Sequence, residues 1–188
     1  MTAGPLAQPA AGTATAHPDD PALRERVLRP YRTNCRYLGP AEVRLENEAV
    51  TASGAFRIGE SCYIDDTGHF NAVEFNICFN QIAYYLIAKC VQNRLPPVFD
   101  AWTLDDYWQR QLSDILITRY TSRFHRAIRG QEFRGELSFT DFKLRSGENG
   151  KAPLALIESE CRFWDEGGGR CTGEIQIALT NLPQGAPR

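Results

Sequence analysis

The sequence predicts an α+β fold in which a curved antiparallel sheet wraps around one long central helix. Three observations carry this. Residues 71–90 include a second half that is apolar nearly all the way round, as a helix sealed inside a protein must be. Four runs with period-two patterning follow it: "DILITRYTSRF", "EFRGELSFTDFKLR", "LALIESECRFW" and "GEIQIALTNL". With 188 residues, 43% of them aliphatic, aromatic or cysteine, the chain suits one domain with a sizeable core. Several antiparallel strands and one greasy helix bury each other when the sheet curls round the helix.

Each element has a local cause. Residues 1–18, "MTAGPLAQPAAGTATAHP", are low-complexity and read as a disordered tail. A single domain is expected over 19–183, with a short C-terminal tail at 184–188. "DDPALRERVLRPY" reads as a short helix, with Asp20 as N-cap, Pro21 in the first turn and Pro30 ending it. Alternation at Val43–Leu45 and Val50–Ile58 suggests two paired strands. The long helix begins after Gly68 and is closed by "NRLPP". "TLDDYWQRQL" is a shorter helix whose Thr103 and Asp106 are spaced as a capping box. The final strands are divided by turn signals at Arg129-Gly130, Gly147–Gly150 and Gly167–Gly169.

Composition removes several function classes. A formal charge of −2 gives no basic signature for nucleic acid. No apolar run is long enough for a membrane span, because Asn76, Asn80 and Gln81 interrupt the best candidate. No Lys or Arg precedes residue 24 and no apolar stretch follows, so a secretory signal is not expected. The six cysteines show neither C-x-x-C pairing nor a companion histidine spacing. Reduced thiols in the cytoplasm fit them better than zinc or a disulfide framework.

The start of the long helix raises a question, because His69, Asn71, Glu74, Asn76, Asn80 and Gln81 are polar in apolar company. Burying an unpaired polar group costs about 1–3 kcal/mol, so these groups satisfy each other or serve chemistry. His69 either bonds a local carbonyl at the helix start or acts in a pocket. Glu74 sits in the first turn, where the helix dipole favours a carboxylate. Among Val73, Phe75 and Ile77 it would also be desolvated, which makes a better base. At about 100° per residue, Asn71, Glu74, Cys78 and Gln81 share one stripe while Asn76 and Asn80 fall opposite. Both stripes can serve one pocket only if a second subunit supplies a wall, so an obligate homo-oligomer is expected. Asn76 is read as bonding neighbouring backbone and Cys78 as a structural thiol without a basic neighbour. Asp105-Asp106 and Asp165-Glu166 read as a helix start and a turn. "RYTSRFHRAIR" gathers Arg119, Arg123, His125, Arg126 and Arg129. Arg123 and Arg126 are the candidates for holding an acidic carrier or a coenzyme A phosphate, against the commoner reading of a solvated strand edge.

The layout is that of the hot-dog fold, and longer blocks narrow it. "RVLRPYRTNCRYL", "IGESCYIDDTGHFNAVE", "CFNQIAYY", "LDDYWQRQLSDILI" and "FWDEGGG" followed by "GEIQIAL" closely resemble the FcoT family over about residues 22–183. The resemblance implies one of two activities on a shared scaffold. One is hydrolysis of long-chain fatty acyl-CoA. The other is addition of glycine to a (2E)-enoyl thioester on an acyl carrier protein, with hydrolysis to a 3-(carboxymethylamino) fatty acid. It carries pocket roles to Tyr31, Tyr63, Asn71 and Asn80, and dimers with shared sites. "GHF" before a helix is also similar to the histidine-bearing segment of hot-dog dehydratases, although the acid lies nearer the histidine here. On this reading Glu74 assisted by His69 is the base and Tyr63 the acid for the α-carbon. Tyr31, Asn71 and Asn80 bind substrate, amides at the helix start receive the thioester oxygen, and neither metal nor redox cofactor is called for. A non-catalytic module binding acyl chains or a carrier is the rival of another class.

Overall fold

A computed structural model describes residues 15–46, 49–65, 67–129, 131–145 and 152–183. Helix α1 (Pro21–Leu28) starts where expected: the Asp20 carboxylate accepts the Leu23 amide, and Pro21 occupies the first turn. Strands β2 (Leu38–Glu46) and β3 (Ala49–Arg57) pair antiparallel. Helix α2 (Ala72–Asn93) runs 22 residues and stops at Arg94, whose φ of 55° turns the chain out of the helix. Helix α3 (Leu104–Arg110) opens on the Thr103–Asp106 capping box. Strands β4 (Ile115–Arg126), β5 (Glu132–Arg145), β6 (Leu154–Trp164) and β7 (Arg170–Leu179) complete the sheet. The turn expected at Gly147–Gly150 lies outside the described residues.

One expectation needs correcting. A short strand β1 (Thr15–His17) pairs with β2, setting Thr15 opposite Leu45 and His17 opposite Val43, so the tail read through residue 18 is in the sheet by residue 15. The reason is backbone bonding. An open edge offers unpaired N–H and C=O groups to any extended segment, whatever its side chains, and those of β1 stay largely outside the core.

The sheet has the order β1-β2-β3-β5-β6-β7-β4, antiparallel throughout. Its alternating inner residues, among them Val43, Ala52, Leu137, Ile157, Phe163 and Ile175, pack on Phe75, Phe79, Ile82 and Leu86 of α2. This is the hot-dog arrangement. Close approach at the helix start depends on Gly173: a Cβ there would lie 2.7 Å from the Phe75 ring and 2.9 Å from the Thr121 carbonyl. Gln81, fully buried in α2, accepts the amides of Tyr37 and Leu38, each at 2.9 Å, and donates to the Cys35 carbonyl. Its polarity ties the 35–38 segment to the helix.

Candidate active site

Three chain segments meet at the N-terminal end of α2. Residues 58–65 leave β3, residues 67–71 lead into the helix, and residues 127–129 and 131 lie between β4 and β5. Backbone bonds hold them together: the Ile58 amide to the Gln131 carbonyl at 2.8 Å, and the Phe70 amide to the Ile128 carbonyl at 2.9 Å. Phe70 packs on Phe133, Phe163 and Phe75 with ring centres 4.8–6.1 Å apart, a rigid apolar base. Over it lies a cavity of about 320 Å³ whose lining includes Glu60, Ser61, Asp65, His69, Glu74 and Arg129.

His69 and Glu74 are thus brought to one cavity. Thr67 fixes the approach. Its hydroxyl donates to the His69 carbonyl at 2.7 Å and takes the Asn71 side-chain amide at 3.1 Å, while its carbonyl lies 2.8 Å from His69 Nδ1. A carbonyl only accepts, so Nδ1 carries the proton, and in neutral His69 the Nε2 lone pair is left for chemistry. Glu74 is 4% exposed. Its Oε2 accepts the Asn71 amide at 3.2 Å, while Asn71 Oδ1 accepts the amides of Val73 and Glu74, a reciprocal capping box.

That cap commits most of Asn71, whose oxygen is engaged by the helix and whose NH2 reaches Thr67. It also narrows the amides free for a developing oxyanion. Those of Val73 and Glu74 go to the cap and that of Phe75 to the Asn71 carbonyl. Ala72 N–H is left without a partner among the described residues.

The other candidates lie elsewhere. Tyr63 follows Cys62 on the 58–65 segment but is 47% exposed and does not line the cavity. Tyr31 packs against the core outside the cavity lining. Burial first, then Tyr84 and Cys78 beside it, hold its hydroxyl well above the ordinary tyrosine range. Asn80 donates to the carbonyl and the side-chain oxygen of Asn76, each at 2.9 Å, so the opposite polar stripe bonds within itself. Cys78 is buried, and burial followed by the nearby Glu74 pushes its thiol up, as suits a structural residue.

The basic run does not stay together. Arg119 pairs with Glu158 at 2.7 Å. Arg123 lies in a depression on the outer sheet face among Glu136, Glu160 and Glu174. His125 bonds Thr172, Arg126 stands exposed near Gly168, and Arg129 lines the cavity beside α2. Glu60 and Ser61 are not singled out by sequence reasoning, and Arg129 is named there only as a member of the basic run. The first two lie in the quoted "IGESCYIDD" block, which was their available signal. A broader groove of about 1620 Å³ crosses β2, β3 and β5 and shares Gly59, Glu60, Arg129, Gln131 and Phe133 with the cavity.

Comparison with known proteins adds to this geometry. The family profile described as the FcoT-like thioesterase domain matches residues 26–179. A (2E)-enoyl-[ACP] glycyltransferase of Streptomyces coeruleorubidus is 45% identical over 164 residues, covering 87% of this chain and 99% of that protein. Its namesakes in Mycobacterium tuberculosis H37Rv and Mycobacterium marinum are 43% and 42% identical. They are matched over 86% and 92% of this chain, and over 87% and 91% of their own. A solved structure from Syntrophus aciditrophicus, described as a candidate thioesterase, superposes with a TM-score of 0.51 at 10% identity. That match covers 84% of this chain and 94% of the other, and it shows likeness of fold.

Proposed function

This chain belongs to the FcoT-like thioesterase family, and on that premise we propose that it adds glycine to a (2E)-enoyl thioester on an acyl carrier protein. Hydrolysis then releases a 3-(carboxymethylamino) fatty acid. The observation that carries this reading is the cavity itself, where a buried carboxylate and a tautomer-fixed histidine meet in a chain whose relatives bear that name.

The chemistry follows from the groups present. Glycine is an ammonium at neutral pH and must lose a proton before its nitrogen can attack. Glu74, screened from solvent, takes it, with His69 Nε2 as the relay outward. The nitrogen bonds the β-carbon and the π electrons move to the thioester oxygen, where Ala72 N–H and the positive end of α2 meet the charge. Tyr63, carried beside the cavity on the 58–65 segment rather than in its lining, is the acid assigned to return a proton to the α-carbon once substrate is bound. Water, activated by the same base pair, then attacks the carbonyl carbon, the C–S bond breaks and the thiol leaves protonated. Asn71 holds the helix start in register, and Tyr31 and Asn80 line the acyl path.

A homodimer belongs to this reading. Neither Tyr31 nor Asn80 lines the cavity, Asn80 lies on the far stripe of α2, and a second subunit would supply the wall that brings these residues to one site. Support comes from apolar side chains left in water at and beside the edge strand β4, including Leu112 at 61% and Leu116 at 44% exposure. A cytoplasmic location goes with it, supported by six cysteines that are all free thiols. Among the described residues no helix is long and apolar enough to cross a membrane.

The family description favours one other reading, a plain long-chain acyl-CoA thioesterase. Thiol release followed with a disulfide dye separates the two. The proposed enzyme liberates thiol from an enoyl thioester only when glycine is present and spares the saturated thioester. A plain thioesterase consumes both without glycine.

A further inference from the structure

We propose that Arg129 and Ser61 form the carboxylate subsite of the cavity, the pair by which it selects an amino acid over a simple amine. The assignment rests on the glycine-adding reading above and names the groups that would hold its co-substrate.

Charge is the first argument. The lining carries three carboxylates, Glu60, Asp65 and Glu74, and one cation, Arg129, among the described residues. A zwitterion complements such a wall, its ammonium towards the acids and its carboxylate towards the arginine. Glu60 is partly engaged by the Asn34 side chain at 3.1 Å. Arg129 has no ion-pair partner among the described residues, while its backbone is held by the Asp165 carboxylate, which accepts the Arg129 amide at 3.1 Å. Arg129 is exposed at the cavity rim, and a guanidinium without an ion-pair partner among the described residues suits the two-point hydrogen bonding that a carboxylate offers.

Ser61 supplies an independent observation. Its hydroxyl is buried without a hydrogen-bond partner among the described residues, and Ser61 lines the same cavity. Buried hydroxyls are nearly always paired, so one left open in the cavity that Arg129 also lines marks a place for an acceptor from outside the chain.

Size and polarity exclude the competing occupant. A long acyl chain needs an extended apolar pocket, whereas this cavity holds about 320 Å³ and most of its named lining is polar. It suits a small polar molecule beside the reacting end of the thioester, with Phe70 and Phe133 as base. Seating the carboxylate on Arg129 and Ser61 turns the amine towards Glu74, the group assigned to deprotonate it.

Steady-state kinetics with an enoyl-carrier thioester test this, varying glycine and, separately, ethylamine. For Arg129→Gln the KM for glycine should rise about 10- to 100-fold, the usual worth of hydrogen bonds to a charged group. The KM for the thioester should stay near wild type. The preference for glycine over ethylamine should collapse in the variant, because ethylamine never uses the subsite. Ser61→Ala should raise the glycine KM more modestly and Arg129→Lys should recover part of the loss. If Arg129→Gln does not fold, those two variants carry the comparison. Wild-type glycine KM values in Arg129→Lys and Ser61→Ala, or in Arg129→Gln, overturn the subsite and leave the glycine-adding reading standing. A wild-type enzyme that consumes the thioester without any glycine dependence overturns both.

Discussion

Replacing Glu74 with glutamine separates a structural carboxylate from a chemical one. Glu74 accepts the Asn71 amide at 3.2 Å and is 4% exposed. Glutamine has the same reach and an oxygen that can accept the same bond, so the capping box survives. What disappears is the charge and the affinity for a proton. Loss of a first-turn charge costs about 0.3–1 kcal/mol through the helix dipole, and relief of burying that charge offsets some of it. Stability to urea should therefore fall by no more than about 1 kcal/mol. Loss of a general base lowers rate by about 10²–10⁴-fold, which is about 2.7–5.4 kcal/mol of barrier at 1.36 kcal/mol per decade. The two effects are far enough apart to be read in one preparation, urea unfolding alongside glycine-dependent thioester consumption. His69→Ala should also slow the reaction, and the double variant should lose little beyond the worse single one if both act as one unit. A fully active Glu74→Gln enzyme would refute the assignment and leave Glu74 as a cap.

Gln81→Leu should cost about 3 kcal/mol or more in urea unfolding, since it strands two buried amides and a carbonyl at about 1–3 kcal/mol each; a loss under about 1 kcal/mol would mean that the 35–38 segment finds other partners. The acid limb of stability should depend on Asp20, whose carboxyl is held below its ordinary 3.8, first by the Leu23 amide and then by the Gln92 side chain. A depressed carboxyl contributes stability above pH 3.8 that is lost as pH falls through its lower folded value, so Asp20→Asn should weaken the fold at neutral pH and flatten its fall below pH 3.8. Light scattering should find a homo-oligomer, and Leu116→Glu on the exposed edge should shift it towards monomer with loss of activity; a folded, active monomer at micromolar concentration would sink the shared-site reading.

The local chemistry of the fold was largely legible. Asp20 with Pro21 and Thr103 with Asp106 are caps that declare themselves by residue type and spacing, and both stand where the sequence puts them. The long helix was legible because its second half is apolar on every face. Strand β1 was not, because three residues paired through backbone alone leave no mark on side-chain pattern. Gln81 was recognisable as a buried polar group, but its partners stand 43–46 residues away in sequence, where no local rule reaches. Within the site, Asn71 and Glu74 have the three-residue spacing of a capping box, a signal that pocket reasoning overlooked. The basic run misled for a geometric reason. Strand alternation, a bulge between Phe124 and Arg126 and the chain's exit from the sheet send five clustered residues to different surroundings. Arg129, the least strand-like of them, reaches the cavity.

On the proposed reading, a carbon–nitrogen bond to glycine forms here before the thioester is broken. Mass spectrometry of the acid released from a (2E)-enoyl-carrier thioester in the presence of ¹⁵N-glycine tests it directly. The expected product is a 3-(carboxymethylamino) fatty acid carrying the label, formed only when glycine is supplied and depleted in Glu74→Gln. Unlabelled enoic acid as the only product, released at the same rate with and without glycine, would contradict it.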